Sequence, residues 1–194
     1  PFSRQITVPF AYQTEMSGIH DTGFHDVVWY RRSIDGRALE PGKRYILHFG
    51  ACDYRTEVWV NGEWAGAHVG GHSSFSFEIT DFLRDGENVL VVRAGDDSRN
   101  LEQPRGKQYW KQESASIFYT RTTGIWQTVW LEPVGSQFIR QVWMTPDVDR
   151  KMIGMEILLD QKTEARLQVE ITYQGTRMVC DTVTVLNGKA VREW

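Results

Sequence analysis

Cysteine is scarce in this 194-residue chain, and the two that are present, Cys52 and Cys180, lie far apart. Such a pair forms neither a disulfide framework nor a CxxC metal pair. Free thiols are the default in a reducing compartment, so we expect a cytoplasmic protein. No apolar run approaches the roughly 20 residues that a membrane span needs, so the sequence predicts no membrane partner.

Excess charge of one sign is also missing, since the net charge is only −3. Without a basic stripe, a nucleic-acid partner is not expected. A phosphate-cradling glycine loop and a Ser-His-Asp context are absent as well. His68 and His72 are four residues apart but in a glycine-rich segment, and Asp96-Asp97 lacks a dense set of oxygen ligands. The sequence therefore predicts no cofactor and no metal site.

Aromatic residues, in contrast, are plentiful, with eight Trp, seven Tyr and nine Phe. Aromatic rings suit pleated, half-buried strands, so they favour a β-rich core. Because rings also stack on the faces of sugars, exposed ones are candidates for carbohydrate contact.

Apolar residues recur with a period of two along most of the chain. Tyr45, Leu47 and Phe49 alternate with more polar neighbours, and no window of a dozen residues carries a helical stripe. Strict alternation indicates strands with one face on a core. Asn61-Gly62 between two apolar runs predicts a tight hairpin, because both turn residues need a positive φ. The fold class predicted is all-β, a sandwich or a barrel.

A domain boundary is predicted near Glu132–Ser136. Residues 1–135 read as a complete β domain, and residues 136–194 supply four further strands, about half of an immunoglobulin-like sandwich. The predicted strands of the second part are Phe138–Met144, Met152–Leu159, Ala165–Tyr173 and Met178–Leu186. Because the second domain looks partial and the chain opens on Pro1, both ends are expected to be boundaries within a longer protein.

One long polar loop runs from Asp96 to about Ser116. Loops beyond roughly 12–15 residues in a compact domain are usually functional or disordered. Within this loop Arg105, Lys107 and Gln108 surround Gly106 and offer hydrogen-bond donors, and Trp110 is expected to anchor the loop.

Five segments, taken in order, resemble glycoside hydrolase family 2, which includes β-galactosidases, β-glucuronidases and β-mannosidases. They are WYRRS (29–33), FGACDYRTEVWVNGEWAGAHVGGHSSFSFEITDFL (49–83), ENVLVVR (87–93), PRGKQYW (104–110) and TGIWQTVWLE (123–132). The resemblance implies an N-terminal jelly-roll, galactose-binding-like sugar-binding domain. The partial immunoglobulin-like sandwich follows it.

The resemblance also implies a third domain, a (β/α)₈ barrel that carries two catalytic glutamates for retaining hydrolysis. A barrel needs roughly 250 residues, so no catalytic residue is expected in this chain, and the chain alone is expected to be inactive. Its role would be to shape the active-site cleft, support the downstream barrel and contribute to a homo-oligomer. The resemblance makes the long loop a rim of the substrate site, with the candidate substrate-binding residues Asp97, Arg105, Lys107, Gln108 and Arg121.

The substrate remains open at this point. Galactosidases of the family place an Asn before a Pro-Pro-Phe near the start of this domain, where this chain has Val8 before Pro9-Phe10. Phe118 occupies the position of an Asp that precedes the Gly-Ile motif by six residues in the family. A β-galactosidase-like parent enzyme is the leading hypothesis. The alternative is a stand-alone carbohydrate-binding module that holds saccharide through exposed rings.

Overall fold

The computed structural model describes residues 2–194, and these residues form an all-β protein. Its strands are β1 Val27–Asp35, β2 Arg44–Phe49, β3 Cys52–Asp53, β4 Arg55–Val60, β5 Glu63–Val69, β6 Phe75–Glu78, β7 Glu87–Gly95, β8 Gly124–Ile125, β9 Val129–Val134, β10 Ile139–Asp147, β11 Met152–Leu159, β12 Ala165–Tyr173, β13 Thr176–Val185 and β14 Lys189–Glu193. Short 3-10 turns lie at Glu15–Ser17, Gly36–Ala38 and Thr80–Phe82. The predicted all-β fold class is confirmed.

The backbone divides into two compact units, one reaching Pro133 and one comprising Val134–Trp194. Among residues 2–194, no helix combines the length and the apolar character that a membrane crossing requires.

The first unit is built on antiparallel sheets. One has four strands in the order β1-β7-β4-β5, a second has three in the order β6-β2-β9, and β3 pairs with β8. Strand β7 alternates strictly between buried and partly exposed residues, as a strand does when one face lies on a core. Phe49, Val58, Ile79 and Val92 are buried in that core.

The hairpin between β4 and β5 turns at Asn61-Gly62, as the sequence predicts. Both residues have positive φ, 54° and 87°, which is the backbone that this two-residue turn requires. The Asn61 side chain adds a long-range link, because its Oδ1 accepts a hydrogen bond from the amide of Val89 at 2.9 Å. The turn is therefore fixed to strand β7 as well as by its own conformation.

The second unit contains a three-stranded sheet, β10-β11-β14, and the pair β12-β13. Its separate small core includes Ile157, Leu159, Val183 and Val185. The four predicted strands are present, and β14 is an additional strand that the sequence pattern did not predict. With only five residues β14 is too short to show a clear alternation, but Ala190 reaches the core.

The two cysteines differ in environment. Cys52 is buried in the core of the first unit, whereas Cys180 is exposed on β13 of the second, and both are free thiols.

Candidate functional site

The candidate site is the long connection between β7 and β8, residues 96–123. It folds back on itself, since the Tyr109 amide donates to the carbonyl of Tyr119 at 2.7 Å and the Tyr119 amide donates to the carbonyl of Lys107 at 2.9 Å. The rings of Tyr109, Trp110 and Phe118 pack together with centroids 4.6–5.2 Å apart. Trp110 thus anchors the connection through these rings, although half of its surface is exposed.

A buried ion pair joins the two ends of this connection. Asp96 is 2% exposed and Arg121 is 6% exposed. Arg121 Nη2 donates to Asp96 Oδ1 at 2.5 Å and to the Asp96 carbonyl at 3.0 Å. Thr123 Oγ1 donates to Oδ2 at 2.5 Å, and Gln103 Nε2 donates to Oδ1. Because buried charge is tolerated when it is paired and hydrogen-bonded, these contacts hold both ends of the connection in one place.

A second buried carboxyl group, that of Asp53, holds the middle of the connection. Its Oδ2 accepts a hydrogen bond from Gln108 Nε2 at 2.8 Å, and Gln108 Oε1 accepts one from the Thr122 amide at 2.8 Å. Asp53 Oδ1 is buried without a hydrogen-bond partner among the described residues. A Cβ at Gly71 would lie 2.3 Å from that oxygen, so a larger residue there would displace the Asp53 carboxyl group. Burial raises the pKa of the Asp53 carboxyl group, and the Gln108 bond opposes part of that effect.

The junction from the connection into β8 is equally constrained. Gly124 has φ 83°, and a Cβ there would lie 2.1 Å from the Tyr30 hydroxyl oxygen, so a larger residue is disfavoured by both backbone and space. The Ile125 amide donates to that hydroxyl at 3.2 Å. Trp126 Nε1 donates to the carbonyl of Gly71 at 2.7 Å. The Gly-Ile-Trp segment therefore fastens the end of the connection to the rest of the first unit.

The five predicted substrate-binding residues all belong to this connection but occupy two environments. Arg121 and Gln108 take part in the buried network. Arg105 is half-buried and its Nη2 donates to the carbonyl of Asn100 at 3.1 Å. Asp97 and Lys107 are exposed, and Asp97 Oδ1 accepts from the Arg99 amide at 2.9 Å. Contact of any of them with substrate remains a prediction.

Four residues of the network are not among the predicted site residues: Asp53, Asp96, Gln103 and Thr123. The sequence presents Asp96 only as part of Asp96-Asp97, a pair too sparse in oxygen ligands for a metal site, but both of its carboxylate oxygens accept from side-chain donors. Asp53 lies in a two-residue strand that carries no periodic signal. The clue available in sequence was the placement of Asp96 immediately after a buried strand, where a carboxylate can join distant segments.

The two histidines weighed as metal ligands have other contacts. His68 stacks on Phe75 with centroids 4.1 Å apart and lies 3.1 Å from Ser73 Oγ, while His72 packs edge-on against Trp126. No group of three or more His, Cys, Asp or Glu side chains that could hold a metal is found in the part of the chain that the structure describes.

The connection 96–123 is called the pinned connection below, because hydrogen bonds at Asp53 and Asp96 fix it to the first unit. Together with the sheets of that unit it forms a β-sandwich module. Residues 3–132 match the family model described as glycosyl hydrolases family 2, sugar binding domain. The chain belongs to this family.

Two named relatives are glycosidases that are much longer than this chain. The chain is 29% identical over 123 residues to a β-galactosidase of Thermoanaerobacter pseudethanolicus, covering 62% of this chain and 16% of that protein. It is 27% identical over 172 residues to β-galactosidase BoGH2A of Bacteroides ovatus, covering 86% of this chain and 18% of that protein. The chain therefore spans less than a fifth of the length of these two relatives.

A solved structure with the same fold is that of Bifidobacterium dentium β-glucuronidase complexed with coumarin-3-O-glucuronide. The TM-score is 0.70 at 21% sequence identity, and the match covers 97% of this chain and 36% of that one. At this identity the likeness concerns the fold.

Proposed function

We propose that this chain is the N-terminal, non-catalytic portion of a retaining β-glycosidase, with a β-galactosidase-like enzyme as the leading candidate. Residues 1–135 would be its jelly-roll sugar-binding domain, and residues 136–194 the first part of an immunoglobulin-like domain. A (β/α)₈ barrel downstream would carry out hydrolysis. The whole enzyme would be cytoplasmic and homo-oligomeric.

The observation that carries the proposal is the pinned connection 96–123 within a family 2 sugar-binding domain. Five side-chain hydrogen bonds, one of which is also an ion pair, fix its base at Asp96 and Asp53, while Arg105 and Lys107 lie nearer the surface. A rigid base lets such donors hold a defined position, which is what substrate orientation requires. Guanidinium and ammonium groups donate directed hydrogen bonds to sugar hydroxyl or carboxylate oxygens.

The chemistry of retention supports a catalytic centre outside this segment. Retaining hydrolysis needs two carboxyl groups about 5–5.5 Å apart, one as nucleophile and one as acid and base. The buried Asp96 has both oxygens occupied by Arg121, Thr123 and Gln103, so it suits positioning rather than attack. We therefore expect the 194-residue chain alone to leave chromogenic β-galactosides, β-glucuronides and β-mannosides uncleaved.

The test uses the longer protein whose gene encodes this chain. Arg105→Ala and Lys107→Ala should each lower kcat/KM on its preferred glycoside by about tenfold, roughly 1.4 kcal/mol, with little change in melting temperature. Lys162→Ala, which removes an exposed lysine of the second unit, is the matched control. Unchanged kinetics in both loop variants would refute the rim role, and an equal loss of stability would mean that these residues are structural.

The stand-alone carbohydrate-binding module is the second candidate, favoured by the half-exposed rings of Trp29 and Trp64. The gene distinguishes the two. A reading frame that continues past Trp194 into a barrel supports the glycosidase, and a stop codon near that point supports the module.

A further inference from the structure

Residues of the N-terminal segment 2–25 and of strand β1 line an open cavity in the first unit. It has a volume of about 600 Å³, within the usual range of small-molecule sites. Most of its lining is apolar or aromatic and includes Phe2, Ile6, Tyr12, Ile19, Val28 and Tyr30. We call it the N-terminal cavity. None of its described lining residues belongs to the pinned connection.

A polar cluster of Arg4, Asp21 and His25 belongs to the same lining. Asp21 Oδ2 accepts a hydrogen bond from Arg4 Nη1 at 3.3 Å and lies 3.0 Å from His25 Nε2. Asp21 Oδ1 accepts one from the Gly23 amide at 3.0 Å. The bonds from Gly23 and His25 hold the pKa of the Asp21 carboxyl group below its usual range. With His25 neutral, the charges of Arg4 and Asp21 cancel, so the cluster offers both donors and acceptors without a net charge.

The walls of this cavity are joined to both ends of the pinned connection. At the start of the connection lies Asp26, which separates two of the lining residues. Its carbonyl accepts from the Asp96 amide at 2.8 Å, and its Oδ1 accepts from the Ser98 amide at 3.0 Å. Just past the end of the connection, the Ile125 amide donates to the hydroxyl of the lining residue Tyr30 at 3.2 Å.

Tyr12 provides a third link between the cavity and the connection. Its ring packs against that of His25 with centroids 5.4 Å apart, and its hydroxyl donates to the carbonyl of Gly23 at 3.1 Å. Burial raises the pKa of this hydroxyl, and hydrogen bonds with the His25 backbone and the Thr123 side chain oppose part of that effect. Thr123 Oγ1 donates in turn to Asp96 Oδ2 at 2.5 Å. The cavity wall is therefore connected to the buried ion pair that fixes the pinned connection.

We propose that the N-terminal cavity binds a small, neutral aromatic molecule with a hydroxyl group, a phenol, and that this binding stabilises the pinned connection. The ring would pack among Phe2, Ile6 and Ile19. The hydroxyl would donate to Asp21 and accept from Arg4, whose guanidinium has five N–H donors. An anionic ring fits less well because it would meet the charge of Asp21. A saccharide also fits less well, because many of its hydroxyls would lie unpaired against apolar walls.

The effect on the connection follows from linkage. A ligand stabilises the state that it binds. Because the cavity walls hold both ends of the connection, opening of the connection should disturb the cavity, and a bound ligand should make that opening rarer. At a ligand concentration of ten times Kd, opening should be suppressed by up to roughly tenfold. As regulation of a substrate rim the inference rests on the proposed function, but the site and its test need no hydrolysis, so the two can fail separately.

Calorimetric titration of the 194-residue chain at pH 7 tests the site with 2-naphthol, which is neutral, 2-naphthoate, which is an anion, and galactose. 2-Naphthol should bind more tightly than the other two. Ile6→Trp, which fills the cavity, should abolish this binding, and Arg4→Ala should weaken it roughly fivefold. Arg140→Ala, which removes an exposed arginine of the second unit, is the matched control. Arg4 is itself exposed, so Arg4→Ala tests the site even if Ile6→Trp does not fold.

Hydrogen exchange with and without saturating 2-naphthol tests the effect on the connection. Exchange in peptides covering 96–123 should slow, whereas exchange in strands β12 and β13 of the second unit should not change. Tyr12→Phe keeps the ring that lines the cavity but removes its hydroxyl, so this variant should still bind 2-naphthol and should lose part of the slowing. The proposal would be overturned by absence of 2-naphthol binding or by equal binding of 2-naphthoate or galactose. Binding that Arg4→Ala leaves unchanged, or unchanged exchange in 96–123, would overturn it as well.

Discussion

At the scale of single residues, Asp53 stands out because its surroundings disfavour the charged form of its side chain. Its carboxyl group is buried, one oxygen has no hydrogen-bond partner among the described residues, and its pKa is raised above 3.8 by burial. A group whose pKa is higher in the folded than in the unfolded state favours folding most when protonated. Its contribution is therefore complete below the unfolded pKa and is lost as pH rises through the folded pKa.

We predict that Asp53→Asn changes the pH dependence of stability in a definite direction. Asparagine keeps the shape and can still accept from Gln108, but it does not ionise. The free energy of unfolding of the variant should therefore rise relative to that of the unmodified chain between pH 4 and pH 7, measured by urea denaturation. A constant difference between the two proteins across this range would contradict the assignment.

The Asp96–Arg121 pair should show the energetics of a buried ion pair. Removing one partner leaves an uncompensated buried charge, so Asp96→Ala and Arg121→Met should each cost about 3–5 kcal/mol of stability. The double variant should cost clearly less than the sum, because neither charge is then stranded. Urea denaturation of the four proteins gives the cycle, and an additive result would mean that the pair is not coupled.

At the scale of elements, signals that are local in the sequence predicted strands and turns correctly. Contacts between side chains far apart in the sequence could not be predicted. The β4–β5 hairpin could be predicted because Asn61-Gly62 carries its own turn conformation. Strand β12 matches its predicted bounds because its alternation is long and regular. Strand β11 matches its predicted bounds too, although its residues do not alternate in burial. The link from Gln108 to Asp53 could not be predicted, since residue type and polarity do not say which donor meets which acceptor 55 positions away.

We predict that Gln108→Ala loosens the connection 96–123 without unfolding the sandwich. It removes the hydrogen bonds to Asp53 Oδ2 and to the Thr122 amide. Loss of about 1 kcal/mol for each of the two hydrogen bonds, roughly 2 kcal/mol in all, corresponds to roughly 30-fold faster opening. Hydrogen exchange followed by mass spectrometry should show faster exchange in peptides covering 96–123. The adjacent Lys107→Ala, at an exposed position, is the control, and equal exchange in both variants would argue against the link.

At the scale of the whole molecule, the two cores are separate. The cluster around Phe49 and Val58 and the cluster around Ile157 and Val185 share no residue. We predict that a chain ending after Gly135 folds alone, with a single cooperative thermal transition followed by circular dichroism. The predicted boundary at residue 135 would be wrong if this shorter chain aggregates under conditions in which the 194-residue chain stays soluble and folded.

The contrast between the two cysteines gives the chain a built-in chemical reporter. Thiolate is the reactive form, and burial raises the pKa of the Cys52 thiol to about 12, whereas Cys180 is exposed. A maleimide dye should therefore attach once per folded molecule, at Cys180. A second dye molecule should attach, at Cys52, only when the first unit opens. The rate of this second attachment, followed by intact mass, therefore measures opening of the first unit while the second unit already carries a label.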